Sequence, residues 1–505
     1  MKKILIKLTG IKILGLLVGL IYSILQVRFF GASGKVDAFF VAMTAFSVIN
    51  SLIQGGQMAE AFLPEYLKQK KEYGVNAAHK LLSTVLNRMF FFTGLILLIL
   101  YLIAPIIISI IAPGLESKYK ILCINLFSLS LFLILFSLIT FFIETALNAE
   151  QVYGRVELTG LINNVISVLL LVLFYKKMDV YVLINSLLAG KIIEFLIGLY
   201  FLKKIGFKYH LIWKADNNFK LNGFFKLMFT SSSYVGSTQI NITVMTAMAS
   251  FLPPGTLSIF NYVQQLNTKA NGIIMGPVST VFFSQFSIHV ANGKQDLVSY
   301  MKKPLIGVFI ITFLVWCFIT LTGKDLLHFL WSKKSLSDRE FTIAYWMLFL
   351  NFLGSIFSTT GTIYRKAAIS LGNAKAIYQK GILVQLFLAA YSFVSIYYFG
   401  VFGLATIIIL HKLFMTLIAF LISEKSGLKS VNMIREALSN RRFILFSLIV
   451  IASTLILLLS FNMLTLSTIS SIIIKSVLLG GIIFSLSIKL YKVEMNSLLF
   501  SYRKK

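Results

Sequence analysis

The chain reads as an all-α polytopic membrane protein with about fourteen transmembrane helices, arranged as two six-helix lobes and two additional C-terminal helices. Three observations predict this class. Of the 505 residues, 58% are hydrophobic and mean hydropathy is +0.86, more apolar surface than a soluble core can hide. The apolar runs are continuous and near the roughly 20 residues that a membrane helix needs. They do not alternate as β-barrel strands do, so a barrel is excluded. Finally, Lys and Arg crowd every second connection, and short connections rich in these residues stay cytoplasmic.

The spans follow in order. Lys2, Lys3 and Lys7 precede the first, 4–27; with no small-residue cleavage site behind it, this run reads as a helix rather than a signal peptide. A Gly- and Ser-containing turn leads to the second, 37–63, which ends in a connection bearing Lys68, Lys70, Lys71 and Lys80. The third, 86–112, stops at Pro113 and Gly114; the fourth is 121–147, the fifth 157–175 and the sixth 181–202. A basic link, 203–226, comes next. The seventh span, 227–251, ends in the cation-free "FLPPGTL", and the eighth is 258–287. Spans 304–323 and 341–364 follow, then a basic connection from Arg365 to Lys380. The eleventh and twelfth, 381–399 and 403–423, flank the cation-free "YYFGVFG". The last two, 442–461 and 467–490, flank "SFNMLTLS". Both termini fall on the cation-rich side, which predicts a multi-pass protein of the bacterial cytoplasmic (inner) membrane with N- and C-termini inside.

The two lobes look like repeats. "LNAEQVYGR" at 147–155 matches "GNAKAIYQK" at 372–380 through Asn148/Asn373, Ala149/Ala374 and Tyr153/Tyr378. Both follow the fourth span of a lobe. The expected division is a first lobe at 1–204, a linker at 205–226, a second lobe at 227–425, and a helix pair with a basic tail at 426–505. Parallel repeats of this kind place a transport site near the membrane midplane.

The net charge of +29 is explained by topology and by attraction to anionic headgroups, not by a nucleic-acid partner. Cys123 and Cys317 form no disulfide framework or metal spacing, and no P-loop, zinc motif or catalytic triad is visible. Neither a cofactor nor a metal is expected; the partners are membrane lipids and the substrate, and the chain reads as a monomer.

Polar side chains inside a bilayer are costly unless they face protein or water, so polar stripes locate a cavity. Asn50, Gln54 and Gln57 share one face of the second span. Ser232, Gln239 and Thr243, with Asn241 nearby, mark the seventh. Asn261, Gln264 or Gln265, Thr268 and Asn271 mark the eighth, with Lys269 one turn beyond Gln265. Amides and hydroxyls both donate and accept hydrogen bonds, which suits sugars. The alternative is helix-to-helix bridging worth about 0.6 kcal/mol per contact. Lys269 lies deep in its span and calls for an anionic partner, either a substrate phosphate or a buried carboxylate such as Glu60. Arg28 and Asp37 bracket the first outer connection, as a phosphate-binding pair or a structural one. Glu60, Glu144 and Glu194 are the candidates for coupling to H+ or Na+; the membrane potential is a further source of drive. Lys12, Lys191, Lys412 and Lys475 read as snorkelling or packing lysines, and Asp325, Asp338 and Glu340 as loop or edge residues.

The segment "RFFGASGKVDAFFVAMTAFSVINSLIQGGQMAEAFLPEYLKQ" at 28–69 resembles the MurJ (MviN) lipid II flippase family of the multidrug/oligosaccharidyl-lipid/polysaccharide (MOP) exporter superfamily. Arg28, Phe30, Gly31, "DAFFVA" from Asp37 to Ala42, Gly56 and "AFLP" from Ala61 to Pro64 carry the likeness. The resemblance implies two six-helix lobes around a central cavity, a groove for a polyprenyl tail at the last two helices, and flipping of a lipid-linked sugar from inner to outer leaflet. It also implies cavity arginines on the first, second and eighth helices, where this chain carries Tyr22, Asn50 with Ser51, and Gln265. That departure predicts a less anionic head group. The expected function is therefore alternating-access flipping of a polyprenyl-pyrophosphate-linked oligosaccharide by a transporter, not an enzyme. Lipid II flipping proper, drug or cation export, and a membrane glycosyltransferase are the alternatives.

Overall fold

The computed structural model describes residues 2–54, 58–150, 152–213, 221–291, 297–331, 335–428, 441–461 and 468–502. Sixteen α-helices and a short π-turn at Glu424–Leu428 account for the regular structure among them, with no strand. Twelve of the helices are long and apolar enough to cross a membrane, and they cover twelve of the fourteen expected spans. The other two spans lie in helices of 29 and 36 residues. The protein is an all-α polytopic membrane protein.

By their contacts the helices form two compact units, 1–269 with 382–404, and 270–381 with 405–505. The first unit therefore holds the helices expected for the first lobe together with the beginning of those expected for the second.

The first unit starts with α1 (Lys2–Phe30), α2 (Gly34–Gln54), α3 (Met58–Tyr73), α4 (Val75–Leu102) and α5 (Ala104–Ile111). It continues with α6 (Ser117–Ala149), α7 (Tyr153–Met178), α8 (Tyr181–Lys204) and α9 (Leu221–Ala249). The first part of α10 (Thr256–Ala291) and most of α13 (Ala374–Phe399) complete it. Two boundaries differ from expectation. The third span is broken at Ile103, because Pro105 in the first turn of α5 has no N–H to continue the ladder and disfavours helix at the residue before it. The basic connection after the second span is itself the helix α3. Its Phe62 and Tyr66 are buried against α4 and α6, with Phe62 edge-on to Phe142 at 5.4 Å. Lys70 pairs with Glu150 at 2.7 Å, tying the basic end of α3 to the end of α6.

The second unit contains the rest of α10, α11 (Leu297–Leu330), α12 (Asp338–Ser370), most of α14 (Val401–Ser423), α15 (Arg441–Phe461) and α16 (Thr468–Tyr502). Ser337 and Glu340 start α12 with reciprocal side-chain and backbone bonds, so Asp338 and Glu340 serve the helix N-terminus. α15 and α16 pack on α11 and on each other, around Phe313, Cys317, Phe446 and Val450. Asp325, expected just beyond its span, lies inside α11, which runs about two turns past the expected end. There it accepts from Lys475 at 2.6 Å and Ser471 at 2.8 Å, so Lys475 is an ion-paired residue of α16 rather than a snorkelling one.

The matching segments at 147–155 and 372–380 both lie at the turn between a fourth and a fifth span, α6 to α7 and α12 to α13.

Candidate functional site

A cavity of about 760 Å³ opens within the first unit, inside the range that holds small organic ligands. Its walls come from α1, α2, α7 and α10, with Leu187 of α8 and Ile242 of α9. The α1 wall is Lys12, Gly15, Gly19, Tyr22 and Gln26, spaced alternately by three and four residues, so it is one helical stripe. The two glycines leave their carbonyls unshielded, and each carbonyl has a second lone pair beyond its helical bond. Neighbouring helices use both. Asn164 of α7 donates to the Gly15 carbonyl at 3.1 Å, and Lys269 of α10 donates to that of Gly19.

Lys269 also donates to Ser23 Oγ, and Ser23 in turn donates to Gln265 Oε1. Two of the lining residues of α10 singled out on the eighth span, Gln265 and Lys269, thus meet α1. Asn261 lines the same wall. Among the described residues the Lys269 ammonium has only neutral acceptors, and it borders the cavity.

The α7 wall is polar for a reason that the stripes on the second, seventh and eighth spans do not contain. Asn163, Asn164 and Ser167 of α7 line it. Their signal in the sequence is "NNVIS", an i, i+4 polar pair in an otherwise apolar span. A Cβ at Gly190 of α8 would meet the Asn163 side chain, Ser167 Oγ at 2.5 Å and the Asn163 carbonyl at 2.7 Å. Only glycine lets α8 come this close to α7. That approach sets Ser167 to donate to the Ser186 carbonyl at 3.1 Å, and Tyr22 to donate to the Leu183 carbonyl at 2.9 Å. Asn163 donates to Glu194 Oε2 at 2.7 Å, and Lys191 donates to the same oxygen at 2.8 Å. Glu144 lies near Glu194. Two of the three acids considered for coupling therefore share one buried cluster, joined to the cavity wall through Asn163. Glu157 lines the cavity itself, and Thr44 and Ser47 supply hydroxyls from α2.

The other expected site residues lie elsewhere. Asp37 is buried and accepts from Gly255 N at 2.6 Å, Ser258 N at 2.7 Å and Ser258 Oγ. It caps the start of α10, at a turn where Gly255 adopts φ 91° against the backbone of Ala32. Its oxygens are occupied, which makes it a structural acid rather than a ligand for substrate. Arg28 is exposed at the end of α1, outside the cavity lining. Asn50 and Gln264 are half-buried and do not line the cavity. Asn241 donates to Gln385 of α13 at 2.8 Å, a helix-to-helix bridge, and Gln239, two residues earlier on α9, is buried. Gln57 and the side chains of Gln54, Glu60 and Ser232 lie outside the described residues. Lys412 packs in the second unit, donating to the Asn351 carbonyl at 2.9 Å. No group of three or more His, Cys, Asp or Glu with metal-binding geometry occurs among the described residues.

The model of a family described as "Lipid II flippase MurJ" matches residues 27–477. A curated relative named probable lipid II flippase MurJ, from Borreliella burgdorferi, is 24% identical over 412 residues, covering 79% of each chain. Another, from Helicobacter pylori, is 24% identical over 400 residues, covering 74% of this chain and 84% of the relative. A solved structure of lipid II flippase MurJ in an inward closed conformation aligns with a TM-score of 0.80 at 20% identity, over 97% of this chain and 100% of that one. An inward-facing multidrug resistance MATE transporter of the MOP superfamily aligns at 0.61 and 14%, over 84% and 99%. At these identities the structural likenesses speak for the fold, while the family match spans nearly all of the helical chain. The chain belongs to the MurJ lipid II flippase family, whose members are transporters and not enzymes.

Proposed function

We propose that this protein flips lipid II, the lipid-linked peptidoglycan precursor, from the inner to the outer leaflet of the cytoplasmic membrane. The observation that carries the reading is the cavity of the first unit, where a half-buried lysine is held by neutral acceptors beside hydroxyl- and amide-bearing walls. A cation so placed gains most from an anionic ligand, because attraction strengthens as water is excluded. Lys269 and Lys12 meet the pyrophosphate, and Asn164, Asn261, Gln265, Thr44 and Ser47 hydrogen-bond the sugars and peptide. The lack of arginine at 22, 50 and 265, which favoured a less anionic head group, is offset by these two lysines, which stand on the α1 and α10 walls with Tyr22 and Gln265.

For coupling, the reading assigns a proton to the Glu144–Glu194 pair. The two acids belong to one cluster with Lys191, and Asn163 links that cluster to the cavity wall. Binding that favours one state of this pair biases the cycle only by its difference in affinity between states.

The experiment is complementation of a bacterium depleted of its own lipid II flippase. Rescue of growth and of outer-leaflet lipid II supports the reading. No rescue, with the protein abundant in the membrane, overturns it; restored export of a different lipid-linked glycan would then favour the surface-polysaccharide alternative.

A further inference from the structure

A second, apolar groove of about 670 Å³ lies on the first unit, away from the cavity, between α4, α6, α8 and the segment that follows α8. We propose that it is a binding site for an anionic glycerophospholipid of the surrounding membrane, with an acyl chain in the groove and the phosphate at Lys203.

The groove has a built wall. Residues 207–213 are not helical, yet they are strapped along one face of α4. His79 Nδ1 accepts from Lys208 N at 3.4 Å and Ser83 Oγ from His210 N at 3.1 Å. Asn87 donates to the carbonyls of His210 and Ile212 at 3.2 and 3.1 Å, and Arg88 donates twice to that of Trp213, at 2.9 and 2.6 Å. These bonds hold the backbone of the strap against α4.

The groove is also graded. Its α8 wall is Phe195, Leu199, Leu202 and Lys203, one helical face that turns from apolar to cationic over about 12 Å at 1.5 Å per residue. Phe90, Tyr209 and Trp213 line it while remaining about half exposed, the placement of aromatic rings at a headgroup level. Lys204 and Lys208 are exposed close by in the chain. Among the described residues Lys203, Lys204 and Lys208 have no carboxylate partner within salt-bridge distance. A zwitterionic headgroup would present its own cation to these lysines, whereas a phosphatidylglycerol-like headgroup would not.

The test is native mass spectrometry of the full protein in detergent with equal amounts of phosphatidylglycerol, phosphatidylcholine and a polyprenyl phosphate. The wild type is expected to retain phosphatidylglycerol roughly tenfold over phosphatidylcholine, the preference expected of surface cations near an anionic headgroup. Lys203→Gln with Lys204→Gln should bring the ratio close to one, and Lys203→Arg should keep it. Leu199→Trp, which fills the groove from a partly exposed position, should lower retention of both phospholipids. Equal retention by the wild type overturns the proposal. So does phosphatidylglycerol retention unchanged in the Gln and Trp variants, or preferential retention of the polyprenyl phosphate.

Discussion

Lys269 shows what a single half-buried cation does for this cavity. Its acceptors are a carbonyl and a hydroxyl of α1, so replacing it with Met removes a desolvated charge without stranding a carboxylate among the described residues. Such a change is close to neutral for folding. If the ammonium serves the substrate, Lys269→Met should leave membrane abundance and Tm near wild type yet lower flipping by at least about tenfold, roughly 1.4 kcal/mol in the barrier. Lys269→Arg should retain part of the activity. Asp37 makes the opposite case. Its carboxylate takes two backbone N–H groups and a hydroxyl, and Asn at 37 would turn one acceptor into a donor facing a donor. Asp37→Asn should cost about 1–3 kcal/mol, read as a lower Tm in detergent with thermal inactivation in parallel. Lys269 and Gln265 were legible in the sequence because a polar residue in an apolar span has few reasons to be there. The cap at Asp37 was not, because its donors lie more than two hundred residues along the chain and only the fold brings them together. Asn163 and Ser167 carried a signal of the same kind as the stripes, but the resemblance drew attention to other helices.

At the level of elements, hydropathy located the twelve helices that are long and apolar enough to cross a membrane, because a helix that faces lipid must be apolar over its length. What it left out were features decided by local backbone chemistry and by packing. The break at Ile103 follows from Pro105, and α3 is a helix because Phe62 and Tyr66 find a buried apolar site on α4 and α6 despite the lysines around them. Phe62→Ala should therefore cost about 3–5 kcal/mol and lower Tm markedly, although it touches no cavity residue. The extension of α11 brings Asp325 to Lys475. Lys475→Met leaves that acid without its ion pair and should destabilise by a few kcal/mol. The double change Asp325→Asn with Lys475→Met should recover a substantial part of the loss, which a double-mutant cycle measures.

For the molecule as a whole, charge alternation and hydropathy made the order of the spans readable, whereas the compact units, 1–269 with 382–404 and 270–381 with 405–505, cross the expected lobe boundary. That the first, second and eighth spans border the cavity was readable; that α7 joins them was not, since its close approach to α8 depends on Gly190 and on contacts between distant parts of the chain. Helices expected for both lobes nonetheless contribute to one chamber inside the first unit, through α1, α2 and α7 on one hand and α10 on the other. The account stands on that chamber being open to water at a depth where lipid surrounds the protein. Cysteine accessibility tests this directly. Cys123 and Cys317 are buried and can be replaced by Ala, after which Ser47→Cys on the cavity wall is compared with Leu173→Cys, which is 67% exposed on α7 and absent from the lining. The account predicts that a charged, water-soluble methanethiosulfonate modifies Cys at 47 in membranes, that purified lipid II slows the reaction, and that Cys at 173 stays unmodified. No modification at 47 in any condition, or equal reactivity at the two positions regardless of lipid II, would contradict it.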